Sequence, residues 1–285
     1  LQMANILKNV DQVQRPRVSA DVLHYITEAK RLAFEDLGRY YADPDFAEIP
    51  VETLLSDEYG RERFALIDPE QANPAPRPGD IKLEGEGDTT YLTVADKDGM
   101  MVSLIQSNYR GMGSGLVPDG LGFMFQDRGE LFSLDPDHPN VYEPGKRPFQ
   151  TIIPAFIMKD GEPYISFGLM GGGMQPQGHV QILINIVDYG MNLQEAGDAA
   201  RLNHVGGRAP TGRLDDEDVD LLGTLHVEPG ISEAAVEQLR EMGHNVEVID
   251  NGIMFGGYQA ILRDPETGVY TGATEMRKDG QALGY

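Results

Sequence analysis

A proline- and glycine-rich stretch that no regular element can use divides the chain. Between positions 69 and 88 stand Pro69, Pro74, Pro76, Pro78, Gly79, Gly85 and Gly87, with almost no apolar side chains among them. Residues of these two types at such density break helices and strands alike, so the stretch reads as a solvated, flexible linker. The pattern changes abruptly at Thr89, where Tyr91, Thr93 and Ala95 alternate with Leu92 and Val94, the period-2 signature of a strand. Helices belong before the break and most of the sheet after it.

Upstream, Ser19 is a good N-cap for residues 19–41, where Val22, Ile26, Ala29, Ala33 and Leu37 recur at helical spacing and predict an amphipathic helix. A second helical piece follows Pro50, through Leu54, Leu55, Tyr59, Phe64 and Leu66, with proline at a favourable first-turn position. Downstream, Lys-Asp-Gly recurs at 97–99, 159–161 and 278–280; Asp-Gly favours tight hairpin turns, and the first two copies separate β-type runs. The second hairpin pairs 152–158 with 164–167 and runs into Gly171, Gly172 and Gly173, then a helix over 176–189, apolar on more than one face and stopped at Gly190. A helix over 192–202 starts with a capping box on Glu195, another spans 232–242, a strand covers 245–249, and a hairpin joins 258–262 to 269–273. Blocks of helix and blocks of strand predict an α+β layered fold and argue against a doubly wound βαβ sheet.

At 285 residues the chain can bury a substantial core as one large domain or two small ones. Lys and Arg total 23 against 46 Asp and Glu, a formal charge of −23, which repels a phosphate backbone and excludes nucleic acid as a partner. The apolar run at 181–191 is broken by Asn185 and Asp188, short of the about 20 residues a membrane helix needs, so no membrane partner is expected. The chain starts Leu1-Gln2-Met3 and reads as part of a longer product. A cytoplasmic location is expected, with export left open to a signal upstream.

With no Cys, disulfides, thiolate nucleophiles and Cys-based metal sites are absent. Gly-Met-Gly-Ser-Gly at 111–115 does not continue as a dinucleotide fingerprint, and His179 follows Gly178 where a phosphate loop needs Lys. The six His show no ligand spacing and read as packing or surface residues. Asp215, Asp216, Glu217 and Asp218 lack the glycine a calcium loop requires and read as an exposed acidic turn.

What remains is Asp88-Thr89-Thr90 at the linker-to-strand junction. A threonine opening a strand is by itself ordinary β-sheet chemistry. A Thr hydroxyl becomes nucleophilic when a base takes its proton, and the residue's own α-amine, freed by chain cleavage, serves that purpose without His, Cys, metal or cofactor. The triglycine is equally a tight β-to-α turn and a place where unobstructed amides meet a helix N-terminus, suited to an oxyanion.

Asp-Thr-Thr-Tyr-Leu-Thr-Val-Ala-Asp-Lys-Asp-Gly (88–99), Pro-Gly-Lys-Arg-Pro (144–148), Gly-Gly-Gly-Met-Gln-Pro-Gln (171–177) and Asp-Tyr-Gly-Met-Asn-Leu-Gln-Glu-Ala (188–196) resemble the γ-glutamyltranspeptidase family of N-terminal nucleophile hydrolases. The resemblance runs to Tyr270-Thr271-Gly272-Ala273 and Gly284-Tyr285. It implies a four-layer αββα sandwich of α+β class and a precursor that cuts itself before a threonine. Residues 1–88 then resemble the end of the large subunit and 89–285 the small, catalytic subunit, one interlocked domain. It implies Thr89 as nucleophile, Ser107 as the hydroxyl that assists it, and Gly171 and Gly172 as the oxyanion hole, with Thr90 as the adjacent rival.

Around this framework the residues depart from a typical transpeptidase. Tyr109 stands where the family usually has Asn. The glutamine and aspartate that hold a substrate α-amine fall on Arg128 and Leu131, with Glu130 as a substitute acid, and the paired serines that hold its carboxylate fall on Gln150 and Thr151. The Met-Gln-Pro-Gln wording resembles the acylase-like and amidohydrolase-like bacterial branch, and Arg128 suits a carboxylate-bearing acyl group. The expected partners are a small-molecule amide and the rest of the large subunit upstream of Leu1. A homo-oligomer of heterodimers is compatible with the family; no cofactor and no metal is expected.

Overall fold

In the computed structural model, residues 1–11, 14–76, 88–207, 209–213 and 218–284 are described. In chain order the elements are α1 (Gln2–Leu7), α2 (Ala20–Tyr40), α3 (Val51–Leu54), α4 (Asp57–Phe64), β1 (Asp88–Ala95), β2 (Met101–Tyr109), β3 (Ala155–Lys159), β4 (Glu162–Met170), α5 (Met174–Val187), α6 (Leu193–Asp198), β5 (Leu202–Val205), β6 (Thr224–Val227), α7 (Glu233–Glu241), β7 (Val246–Val248), β8 (Gly257–Arg263) and β9 (Tyr270–Thr274). They form two compact units: Leu1–Glu84, Arg128–Gln150 and Leu202–Ile249 build the first; Gly85–Asp127, Thr151–Arg201 and Asp250–Tyr285 build the second.

The first unit is organised around α2, capped by the Ser19 hydroxyl, which accepts from Val22 N. Its polar face does not meet solvent as an amphipathic helix would: Glu28, Lys30, Arg31, Glu35 and Asp36 are all buried. Internal partners permit this, because Arg31 pairs with Glu28 at 2.6 Å and Arg63 of α4 with Asp36 at 3.3 Å. The helical piece after Pro50 is two helices, broken at Leu55 because Ser56 caps a new start through Tyr59 N. Strands β5 and β6 are antiparallel and β6 and β7 parallel. The helical spacing predicts a helix over 192–202, yet α6 ends at Asp198 and Leu202 opens β5.

Residues 69–76 differ from a solvated linker. Ala72 and Pro76 are buried, Ala72 N donates to Met242 O at 2.7 Å, and Asn73 O accepts from Arg31 at 2.6 Å. Residues 77–87, and Asp215, Asp216 and Glu217 of the acidic turn, lie outside the described residues.

In the second unit β3, β4, β8 and β9 form an antiparallel sheet in the order β3-β4-β8-β9. Alternation along β4 gives it two faces. Ile165, Phe167 and Leu169 join Met174 and Ile182 of α5, Leu193 of α6 and Tyr258 of β8 in one buried cluster. Ser166 and Gly168 face the other way, onto the β1–β2 pair: Thr93 Oγ1 and Ser166 Oγ are 2.7 Å apart, and the Tyr91 ring lies where a Gly168 side chain would be. This unit therefore stacks helix, sheet and sheet. Helix α5 begins at Met174, two residues earlier than read, with Pro176 in the first turn where no intrahelical amide bond is lost. The capping box of α6, Asn192 with Glu195, is formed in full.

Candidate active site

Thr89 is the second residue of β1 and is 3% exposed. Its Oγ1 donates to Ser107 Oγ on β2 at 3.2 Å, and the two residues face each other in the antiparallel ladder. Thr90 pairs with Gln106 and is exposed, so the alternation of the strand gives the hydroxyl contact to Thr89 and not to its rival. Ser107 Oγ also accepts the Tyr109 amide at 2.9 Å. With two donors on its oxygen, Ser107 is held as an acceptor for the Thr89 proton, the polarity an assisting hydroxyl needs.

The ladder is irregular at this point. Thr89 pairs with Ser107 but Asp88 pairs with Tyr109, so Asn108 is an extra residue opposite the Asp88–Thr89 peptide. That is a β-bulge, and its residue Tyr109 is left-handed, at φ 78°, although it is neither Gly nor in a hairpin turn. The other described non-Gly residue with positive φ, Asp160, lies in the expected Asp-Gly hairpin turn. Both neighbours of Tyr109 are tied to Asp127: Asp127 N donates to Asn108 O at 3.0 Å, and Arg110 N donates to Asp127 Oδ1 at 3.2 Å. Nothing in the sequence announces this bulge, because it carries no glycine.

Gly171 and Gly172 follow β4 directly, at φ 129° and 54°. Their carbonyls accept from Met174 N and Gln175 N at 2.9 and 3.2 Å, so the loop curls straight into α5. Upstream of this loop β4 meets β1, Thr93 on Ser166 and Tyr91 on Gly168.

The remaining candidates are distributed more widely. Arg128 and Glu130 lie in a short 3-10 turn of the first unit, Arg128 buried and Glu130 exposed, while Leu131 in the same turn is core. Gln150 ends the same segment of that unit, exposed, with its amide donating to Pro148 O at 3.4 Å. Thr151 opens the next segment of the second unit and is buried.

The histidines act in packing. Burial pushes His179 down to about 4 and His244 down to about 3, and lowers His138 and His204 as well. His179 Nδ1 lies 2.6 Å from Gln175 O and His138 Nε2 lies 2.8 Å from Gly38 O. One convergence of ligand types that the sequence spacing does not reveal joins His24, Glu28 and His244, with ligand atoms within 4.8 Å. The His24 and His244 nitrogens are 2.7 Å apart, closer than the roughly 3.3 Å between two nitrogens on one tetrahedral zinc. Glu28 is already paired with Arg31, so the trio is a hydrogen-bonded cluster. Among the described residues, no helix is long and apolar enough to cross a membrane.

Comparison with known proteins bears on the same elements. The sequence model of the family described as Gamma-glutamyltranspeptidase matches residues 1–285. The "Glutathione hydrolase-like YwrD proenzyme" of Bacillus subtilis (strain 168) is 35% identical over 280 residues, 98% of this chain and 50% of that protein. The "Oxamate amidohydrolase proenzyme" of Klebsiella pneumoniae subsp. pneumoniae is 36% identical over 267 residues, 93% of this chain and 48% of that one. The crystal structure of cephalosporin acylase from Bacillus halodurans superposes with a TM-score of 0.82 at 41% identity, covering 100% of this chain and 50% of that chain. The chain therefore spans about half the length of the relatives it matches.

Proposed function

The chain belongs to the γ-glutamyltranspeptidase family, N-terminal nucleophile hydrolases of α+β fold, and on that premise we propose that it carries the nucleophile-bearing part of a self-cleaving amide hydrolase or acyltransferase. The observation that carries the reading is the Thr89 hydroxyl donating to Ser107 at 3.2 Å, on the residue next to a peptide that the bulge lifts out of the regular ladder. In the processing step Thr89 Oγ attacks the Asp88 carbonyl carbon while Ser107 accepts its proton and gives up its own in relay. The C–N bond breaks, the relayed proton ends on the leaving nitrogen, and Asp88 becomes an ester on Thr89. Water hydrolyses that ester, leaving an Asp88 carboxylate, a free Thr89 hydroxyl and a free α-amine. The amine, with a pKa near ~8, is the base of later turnovers. An amide substrate then repeats the sequence: its acyl group is transferred to Thr89, its amine leaves, and water or a second amine releases the acyl group. Amides of Gly171 and Gly172 are the candidates for the oxyanion in both steps.

The acyl group we assign is small and carries a carboxylate. Support comes from Arg128 and Gln150 in place of the usual amine- and carboxylate-holding residues, a guanidinium being suited to bidentate carboxylate binding. The relatives named as an oxamate amidohydrolase and a cephalosporin acylase point the same way. The name glutathione hydrolase on another relative keeps γ-glutamyl amides as the second reading.

The test uses the complete gene product. Mass spectrometry should find two chains, the second beginning Thr89-Thr90-Tyr91. Thr89→Ala should remain one uncut, inactive chain, whereas Thr89→Ser keeps the hydroxyl and should still cut. A γ-glutamyl anilide, a glutaryl amide and oxamate then sort the substrate: reaction with the first alone restores the transpeptidase reading, and no reaction by the cut enzyme makes the protein a non-catalytic binding paralogue. An uncut wild-type precursor with full amidase activity would falsify the mechanism.

A further inference from the structure

The strained residue opposite the scissile peptide is held in place from outside its own strand. A left-handed tyrosine is uncommon and persists only where its surroundings over-determine it. Tyr109 meets that description, at φ 78° and 3% exposed. Its conformation turns its amide back two residues onto Ser107 Oγ, 2.9 Å away, and that same oxygen accepts from Thr89 Oγ1. The left-handed turn thus sets where the assisting hydroxyl stands.

Asp127 bridges the residues on either side. Its backbone amide binds Asn108 O at 3.0 Å, its Oδ1 accepts the Arg110 amide at 3.2 Å, and its Oδ2 lies 3.5 Å from Arg110 Nε. Two backbone groups flanking one residue, both fixed to a single aspartate, constrain the dihedrals between them. The loop from Arg110 to Asp127 closes alongside: Ser114 N and its hydroxyl each reach Phe125 O at 2.9 Å, and Gly113, at φ 59°, packs where a side chain would strike Phe125 O and Asn108.

We propose that Asp127 is a positioning residue, a clamp that keeps Tyr109 left-handed and so seats the Ser107 hydroxyl on Thr89 opposite the Asp88–Thr89 peptide. The proposal rests on the self-cleavage assigned above and extends it to a residue that touches neither Thr89 nor Ser107 directly. Without the Oδ1 acceptor, Tyr109 relaxes toward ordinary β dihedrals, its amide swings off Ser107, and the assisting hydroxyl loses its orientation.

The experiment is a double-variant cycle on the complete precursor, read as the rate at which the chain beginning with Thr89 appears. Asp127→Ala should slow cutting roughly ten- to hundredfold, the range that one strained residue represents. Asp127→Asn keeps an oxygen for the Arg110 amide and should recover most of the loss. In a Tyr109→Gly background, where left-handed φ is free of strain, adding Asp127→Ala should change the rate less than about threefold. The cut Asp127→Ala enzyme should lose kcat with KM nearly unchanged. Asp127→Ala cutting at the wild-type rate overturns the proposal, as does an equal loss with and without Tyr109→Gly. If Asp127→Ala fails to fold, as its melting curve would show, Tyr109→Val decides: a β-branched residue resists left-handed φ, so cutting at the wild-type rate refutes the role assigned to that conformation. Wild-type precursor that stays uncut marks the failure of the parent reading, seen before any variant is compared.

Discussion

Replacing Gly171 and Gly172 by alanine one at a time should give unequal results, although sequence resemblance treats the two alike. Gly172 has φ 54°, inside the left-handed region. An alanine there carries the left-handed penalty of about 1 kcal/mol. Gly171 has φ 129°, outside every region an L-residue uses readily, and a Cβ would stand 3.1 Å from Gly256 Cα. That neighbour is backbone on a residue itself at φ 75° and has no rotamer with which to yield. Strain of about 1–3 kcal/mol and overpacking of about 1–3 kcal/mol add to roughly 4 kcal/mol for Gly171→Ala. At about 2–4 °C per kcal/mol for a chain of this size, melting should fall by about 3 °C for Gly172→Ala and by 10 °C or so for Gly171→Ala. Both variants keep their amides, so loss of self-cleavage reports displacement: a shift near ~1 Å corresponds to about a hundredfold loss for Gly171→Ala, with tenfold or less for Gly172→Ala. Scanning fluorimetry and timed mass spectrometry on the complete precursor measure both. Equal losses, or a larger loss at Gly172, would refute the claim that Gly256 fixes the loop through Gly171.

Three further outcomes follow from the same unit. Glu275 is buried between Arg201 at 2.9 Å and Arg277 at 2.8 Å, and its Oε2 also accepts Tyr258 N; Glu275→Ala strands two buried guanidinia and should destabilise by about 3–5 kcal/mol, measured by denaturant unfolding, with Arg201→Met restoring part of it. His179 has its pKa lowered from 6.5 to about 4 by burial, so between those values the unfolded chain binds the proton and the native one does not. Stability should therefore rise with pH from about 4 to 6.5, by up to about 3 kcal/mol from this group; His179→Phe should reduce the slope of that segment of the melting-versus-pH curve, the other buried histidines keeping the rest, and an unchanged slope would remove His179 as a contributor. Gly168→Ala places a methyl on the Tyr91 ring and should force the two sheets apart; self-cleavage should fall more than melting temperature, and Tyr91→Leu in the same chain should recover part of the rate.

Much of this protein can be read from local chemistry. Ser19, Ser56, Asn192 and Ser232 each accept an amide of the helix they precede, and a cap depends on only four consecutive residues. Asp160 and Gly161 make the expected tight turn at φ 54° and 84°, again a property of neighbours along the chain. The wording around Thr89 and the triglycine carries the family because the threonine at the strand start, the glycine turn and the helix start lie in short contiguous motifs.

Other features exist only once distant residues meet. Burial of the polar face of α2 depends on Arg63 and on residues 73 and 204, far along the chain. The same holds for Leu202, which the helical pattern claims and the pairing with Val227 turns into strand. At the site itself, Asn108 is an extra residue only relative to the register of β1, and the groups on either side of the left-handed Tyr109 are tied to Asp127, beyond the end of the strand. Periodicity and capping are properties of one segment and survive in the bare sequence. Register, strain and the burial of charge are properties of pairs, and they take their values only when the second member of each pair arrives in the folded chain.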